Sequence, residues 1–272
     1  MYEKELNAML SAVRLAAKHI MSVYATDFEV EIKSDDSPVT LADKGADEIL
    51  RKTLAESFPD YGFLTEESKD TGERKTKEFV FIIDPVDGTS DFVAKDGQFC
   101  TNVALARNGE VVVGVIHLPA SGISYYAVKG EGSYRLEPGK EAVRIHVSDR
   151  EKNLRAMRSI SHCNEKEKAF YATHASSFEP EITPVGAAYK FCLIAEGNKD
   201  FFYRSGAGTK EWDVASGDLI LSEAGGIMVE PSGKPFTYNR DDVYNRNGYV
   251  MANKKENLFL ASLKADGNQA QR

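Results

Sequence analysis

Phe79-Val80-Phe81-Ile82-Ile83-Asp84-Pro85-Val86-Asp87-Gly88-Thr89-Ser90 opens with five apolar residues, the signature of a buried strand. The run stops at Asp84 and Asp87, two carboxylates three positions apart. Pro85 between them has no backbone N–H to donate and a fixed φ, so a turn is expected there. Gly88 permits tight backbone geometry, and Thr89 or Ser90 can cap a following helix. The expected product is a rigid strand end with two anionic oxygen ligands. It sits beside a helix N-terminus whose N–H groups attract phosphate. A hard dication bridging carboxylates and a phosphoryl oxygen fits that arrangement.

Upstream of this stretch, residues 3–24 place Leu6, Met9, Leu10, Val13, Ala16, Ala17, Ile20 and Met21 at helical spacing. A second helix is predicted over 41–57, with Ile49, Leu50, Leu54 and Phe58 on one face, ended by Pro59-Asp60-Tyr61-Gly62. Residues 69–78 are charged and contain Thr71-Gly72, which predicts a solvated, mobile loop. Downstream, strands are expected near 79–84, 101–107, 111–118, 123–128 and 133–136, with a hairpin at Asn108-Gly109. The first half therefore reads as helices packed on a largely antiparallel sheet. From about residue 150 strand and helix alternate, with helices near 164–176, 187–197, 212–225 and 254–265. We expect two units, 1–150 and 151–272, sharing a cleft.

Composition narrows the function. The 272 residues are 42% hydrophobic, enough for a sizeable core, and no window reaches the eighteen or so apolar residues of a membrane span. The start, Met1-Tyr2-Glu3-Lys4-Glu5-Leu6, lacks the basic-then-apolar order of a signal peptide. Cys100, Cys163 and Cys192 are widely spaced and odd in number, as for reduced thiols in a cytoplasmic protein. A net charge of −8 argues against nucleic-acid binding, yet admits a small anionic substrate if divalent cations offset the carboxylates.

Four further segments offer acids or glycines, each with a plain structural reading. Thr40 with Asp43 resembles a capping box. Glu66-Glu67 before a charged loop reads as a solvated face, although Phe63-Leu64 just ahead suggests a strand end aimed at a cleft. Asp213 complements a helix dipole, which leaves its neighbour Trp212, the single Trp, unexplained. Glu223-Ala224-Gly225-Gly226 reads as a helix C-terminus ended by glycine. Spacing alone leaves a metal site and ordinary caps both open. Together, Glu66, Asp84, Asp87 and Asp213 offer four oxygen donors from three separated segments.

In order and spacing these motifs resemble the inositol monophosphatase superfamily of lithium-sensitive, magnesium-dependent phosphatases. The resemblance rests on Val39-Thr40-Leu41-Ala42-Asp43, Glu66-Glu67, Asp84-Pro85-Val86-Asp87-Gly88-Thr89 and Trp212-Asp213, and covers nearly the whole chain. Ser159-Ile160-Ser161-His162 and the Gly186-x-x-x-Lys190 helix start are similar to the 3′(2′),5′-bisphosphate nucleotidase branch. So are Tyr203-Arg204 and Thr209-x-Glu211-Trp212-Asp213. The stretch Arg204-Ser205-Gly206-Ala207-Gly208 has no carboxylate to grip sugar hydroxyls, and its arginine suits a second phosphate. Val86 stands for the commoner Ile or Leu, Ser90 for a common Thr, and the short Glu66–Asp84 connection leaves no room for a long flap.

The resemblance implies a layered αβαβα sandwich of the inositol monophosphatase and fructose-1,6-bisphosphatase type. It implies two or three magnesium ions: one on Glu66, Asp84 and the Val86 carbonyl, one on Asp84, Asp87 and Asp213, and a weaker third on Glu66 and water. Asp43 with Thr89, close to Glu66, would form the base relay for an attacking water. Gly88 and Thr89 would hold the phosphate. Ser159, His162, Gly186, Lys190 and Arg204 would select the substrate. The implied substrate is a small phosphorylated molecule, either a bisphosphate nucleotide such as 3′-phosphoadenosine 5′-phosphate or an inositol or sugar monophosphate. No nucleic-acid partner and no stable membrane insertion are expected. A homodimer is compatible with the resemblance, as is a cytoplasmic protein that touches the inner membrane peripherally. A non-catalytic, metal-using binding module ranks below these readings, because Asp43 and Thr89 serve only the water.

Overall fold

The computed structural model describes residues 1–32 and 38–263. Helix α1 (Glu3–Tyr24) buries Met9, Leu10, Val13, Ala16, Ala17 and Ile20, the face its spacing predicts. A two-residue pair, β1 (Glu31–Ile32) and β2 (Pro38–Val39), leads into α2 (Leu41–Ser57), which starts at the Thr40 cap and buries Ala46, Leu50 and Leu54. These two helices lie on one face of a seven-stranded sheet: β3 (Gly62–Thr65), β4 (Phe79–Asp87), β5 (Cys100–Arg107), β6 (Glu110–Leu118), β7 (Ile123–Val128), β8 (Gly132–Leu136) and β9 (Val143–Ile145). Its strands follow sequence order. Only β3 and β4 run parallel; every other neighbour is antiparallel. The short helix α3 (Thr89–Ala94) follows β4.

The second sheet holds β10 (Ala156–Ser159), β11 (Thr183–Val185), β12 (Phe201–Ser205), β13 (Ile227–Val229) and β14 (Gly248–Ala252), in the order β11-β10-β12-β14-β13. The first three are parallel, as the strand–helix alternation requires. Helix α4 (Glu165–Thr173) covers its outer face, while α5 (Tyr189–Ala195) and α6 (Glu211–Glu223) fill the space between the sheets. Three apolar clusters correspond to these layers. Met9, Leu50 and Phe81 join α1 and α2 to the first sheet. Ile82, Phe191, Leu219 and Met251 join both sheets through α5 and α6. Phe170, Phe201 and Leu258 close the outer face. The architecture is the αβαβα sandwich. Among the described residues, no helix is long and apolar enough to cross a membrane.

Three expectations need correction. The strand does not end in a turn at Pro85; β4 continues to Asp87 through a bulge. Asp84 faces Asn102 and Asp87 faces Cys100, so three steps on β4 match two on β5. The ring of Pro85 has no N–H for the ladder, and Thr101 Oγ1 donates to its carbonyl at 2.8 Å. The segment 69–78 is not a free solvated loop. It contains a 3₁₀ turn, Glu73–Thr76, whose Arg74 is buried. Arg74 donates to Asp70, to Asn239 and to the Arg240 carbonyl. The last predicted helix is divided: a 3₁₀ turn spans Lys255–Leu258, Phe259 takes φ 53°, helical residues follow at 260–263, and 264–265 lie outside the described residues.

Helix α6 lies close against β6. A Cβ on Gly114 would meet the Ser216 carbonyl oxygen at 2.7 Å, a backbone atom that cannot swing aside. Gly114→Ala is therefore expected to push α6 off the sheet and cost about 1–3 kcal/mol, read as a lower urea midpoint. An unchanged midpoint would show that this contact does not set the height of α6.

Candidate active site

The bulge in β4 decides where the acids point. On a regular strand, residues three apart face opposite sides of the sheet. The extra residue reverses that parity, so Asp84 and Asp87 emerge on the same side, toward α5 and α6. Glu66 arrives from β3. Thr65 pairs with Ile83 in the parallel register, so the next residue along lies beside Asp84. Asp213 arrives from the first turn of α6. One carboxylate oxygen each from Glu66, Asp84 and Asp213 lies within 4.8 Å of the others.

Burial makes this cluster electrostatically unfavourable. Asp84 is 1% exposed, and its Oδ1 has no hydrogen-bond partner among the described residues. Burial, then Glu66, Asp87 and Asp213, push its pKa well above the ordinary carboxylate range. With their oxygens this close, Asp84 and Asp213 disfavour each other's charged form. Asp213 itself is pushed up to about 8 by burial, Asp87 and Glu66. Each unit is about 1.4 kcal/mol, so full ionisation at neutral pH needs an opposing charge. Asp87 is also raised by burial, but Lys190, Asn102 and the Ala188 N–H pull it back. Its Oδ2 accepts from Asn102 at 3.0 Å and from Ala188 N at 2.6 Å. An orphaned buried oxygen among hard donors fits a small dication well.

Behind this wall sits Asp43, where the capping and relay geometries coexist. Its Oδ2 accepts from Thr40 N at 2.8 Å and Thr40 Oγ1 at 2.7 Å, which makes the cap. Its Oδ1 lies 3.1 Å from Thr89 Oγ1, which is also 3.1 Å from the Val86 carbonyl. A hydroxyl has one proton, so donation to Asp43 leaves the Val86 oxygen free for the cleft.

The opposite side of the cleft is cationic. Lys190 is 6% exposed and donates to the carbonyls of Val185 and Ala187 at 3.2 and 2.6 Å. Burial lowers its pKa, and Asp87 opposes that shift. Arg204 donates to the His162 carbonyl and lies 3.6 Å from the buried Glu167. Ser159 Oγ accepts from His162 N at 3.3 Å, which fixes the His162 backbone. Burial, Arg204 and Lys190 lower the His162 pKa. Acids and cations line one cleft of about 530 Å³.

A family model for the inositol monophosphatase family matches residues 1–265. The chain belongs to the inositol monophosphatase family. Among curated members, it is 31% identical over 249 residues to the 3′(2′),5′-bisphosphate nucleotidase CysQ of Aggregatibacter actinomycetemcomitans, covering 90% of this chain and 91% of that one. It is 33% identical to the CysQ nucleotidase of Salmonella typhimurium, over 90% and 98%. Among solved family structures, CysQ from Bacteroides thetaiotaomicron superposes with a TM-score of 0.81 at 29% identity, covering 94% of this chain and 99% of that one. An IMPase from Thermotoga maritima reaches the same TM-score at 24% identity, over 98% and 99%, a likeness of fold.

Within this family member, most of the residues singled out from sequence line the cleft: Glu66, Asp84, Val86, Asp87, Gly88, Thr89, Ser159, His162, Lys190, Arg204 and Asp213. Asp43 sits one hydrogen bond behind. Gly186 does not line it. A Cβ there would meet Asp91 Oδ2 at 2.5 Å and the Gln98 carbonyl at 2.7 Å, so this glycine lets the 186–188 turn pack close against α3 and the loop before β5. Asn102, Lys210, Tyr244 and Tyr249 escaped the sequence reading. Asn102 lies within a buried strand, and Tyr244 lies in a polar loop without periodicity; neither position has a local signature.

The raised acids set a pH dependence. Unfolded carboxylates titrate near 4. A folded value above that gives stability that is complete below the unfolded value and is lost as pH rises through the folded one. For Asp213 the loss runs from the unfolded value up to a folded value of about 8, above which it is complete. Metal-free protein should therefore melt higher at about pH 6 than at about pH 9, with Mg²⁺ raising Tm most at the alkaline end. A chelated protein that gains stability across that range would contradict this electrostatic account.

Proposed function

We propose that this chain is a metal-dependent phosphatase that removes the 3′-phosphate from 3′(2′),5′-bisphosphate nucleotides. With 3′-phosphoadenosine 5′-phosphate the products are AMP and phosphate. The observation that supports this reading is the pairing, in one cleft, of a carboxylate cluster with two separately anchored cations, Lys190 and Arg204. A monophosphate needs only the acidic wall. A second phosphate gives the cations something to bind. An ammonium has three donors, and Lys190 uses two on carbonyls, which leaves one for an anion.

Two or three Mg²⁺ ions would be held by Glu66, Asp84, Asp87, Asp213 and the Val86 carbonyl. When bound, such ions supply Lewis acidity toward water and the phosphoryl group. Thr89 accepts the proton of the attacking water as it passes its own to Asp43. The N–H groups of Gly88 and Thr89 orient the phosphate for in-line attack. Ser159, His162 and Arg204 orient the nucleotide. In this reading the first 150 residues provide most ion ligands, and residues 151–272 complete the site and select the substrate. Cytoplasmic residence and a homodimer belong to the same proposal, and sedimentation velocity tests the latter.

Asp84→Asn should abolish turnover in saturating Mg²⁺ while retaining the wild-type circular dichroism spectrum. Wild-type activity in that variant would remove Asp84 from the site. Lys190→Ala should raise KM for 3′-phosphoadenosine 5′-phosphate by tenfold or more and barely affect inositol 1-phosphate. Equal effects, or a wild type that prefers inositol 1-phosphate, would favour an inositol or sugar monophosphatase. Lithium should inhibit in competition with Mg²⁺; undiminished turnover at high lithium would place the chain outside the sensitive group.

A further inference from the structure

Of the aromatic rings that line the cleft, Phe202 and Tyr249 are 1% and 4% exposed and form its floor. Tyr244 is different, with 39% of its surface open. Its loop is held unusually firmly for an exposed segment. Tyr244 forms an isolated antiparallel bridge with Lys210, three residues before Asp213. Glu211 N donates to the Val243 carbonyl at 3.0 Å, and Asn245 N to the Thr209 carbonyl at 2.8 Å. The fully buried Glu211 accepts from Asn239 N, Arg240 N and Arg240 Nε at 2.6, 2.8 and 2.9 Å. Arg240 in turn donates to Asn245 Oδ1 at 2.7 Å. The side chains of Lys210 and Arg246 lie 5.6 and 5.1 Å from the Tyr244 ring centroid.

A buried carboxylate with three donors is an expensive way to shape a surface loop, unless the loop presents something whose position matters. What it presents at the cleft is a partly exposed aromatic ring with the mobile ends of Lys210 and Arg246 over it, indexed through Lys210 to the helix turn that bears Asp213. Rings in that setting bind flat heterocycles by stacking, an interaction any nucleobase can make. We propose that Tyr244 is the base-recognition residue of this enzyme, packing against the purine of the nucleotide, and that Glu211 and Arg240 position it. This inference rests on the nucleotidase reading.

The test compares 3′-phosphoadenosine 5′-phosphate with a ribose 3,5-bisphosphate that lacks the base, in saturating Mg²⁺. Tyr244→Ala should raise KM for the nucleotide about tenfold, leave kcat within about twofold, and leave KM for the base-free substrate unchanged. Tyr244→Phe should behave like wild type, because the ring is kept. Thermal melts of both variants within about 2 °C of wild type would exclude a disordered loop. A KM that rises equally for both substrates, or for neither, overturns the assignment of Tyr244 alone. A wild type that turns over the base-free compound as well as the nucleotide overturns the nucleotidase reading and this inference with it.

Discussion

Like-charged groups that are held apart from water repel one another, and that repulsion governs this fold. Asp84 has a buried oxygen with no protein donor among the described residues, and Glu66 and Asp213 crowd against it. Other acids in the interior are answered by the protein itself. Glu211 has three N–H donors, and Asp200 is gripped by Arg155. The chain thus has the means to neutralise a buried carboxylate. At the Asp84 corner it withholds them, leaving an affinity for cations that the rest of the molecule must hold open.

Holding it open falls to the contacts that fix the segments bearing the acids. The bulge at Pro85 turns two side chains to one face, and Thr101 stabilises the carbonyl that the bulge displaces. The parallel pairing of β3 with β4 delivers Glu66. Close packing of Gly114 against α6 fixes the height of Asp213. The 186–188 turn docks on Asp87 through the Ala188 N–H, which ties the cationic side of the cleft to the acidic one. Each contact crosses between segments far apart in sequence, so the site exists only once the layers have packed.

That separation explains what could be read in advance. Helices α1 and α2, the antiparallel order of the first sheet and the acids themselves have local signatures: apolar spacing, hairpin glycines, and paired carboxylates after an apolar run. Pro85 signals a turn and a bulge alike, and only the partner strand distinguishes them. Arg74 looked solvated because its partners, Asn239 and Arg240, lie more than 160 residues away. Asn102, inside a buried strand, and Tyr244, in a polar loop, carry no local signature at all. Asp43 is instructive: the Thr40 cap and the Thr89 hydrogen bond use different oxygens of one carboxylate, so a capping residue is also free to accept from Thr89 at the cleft.

The central claim is that the Asp84 corner is built to hold divalent cations. Anomalous diffraction from crystals soaked in Mn²⁺ addresses it directly. The account predicts a peak within about 2.0–2.6 Å of oxygens from Glu66, Asp84 and Asp213. A saturated crystal with no peak there, or with its manganese bound only at surface carboxylates elsewhere, would contradict it.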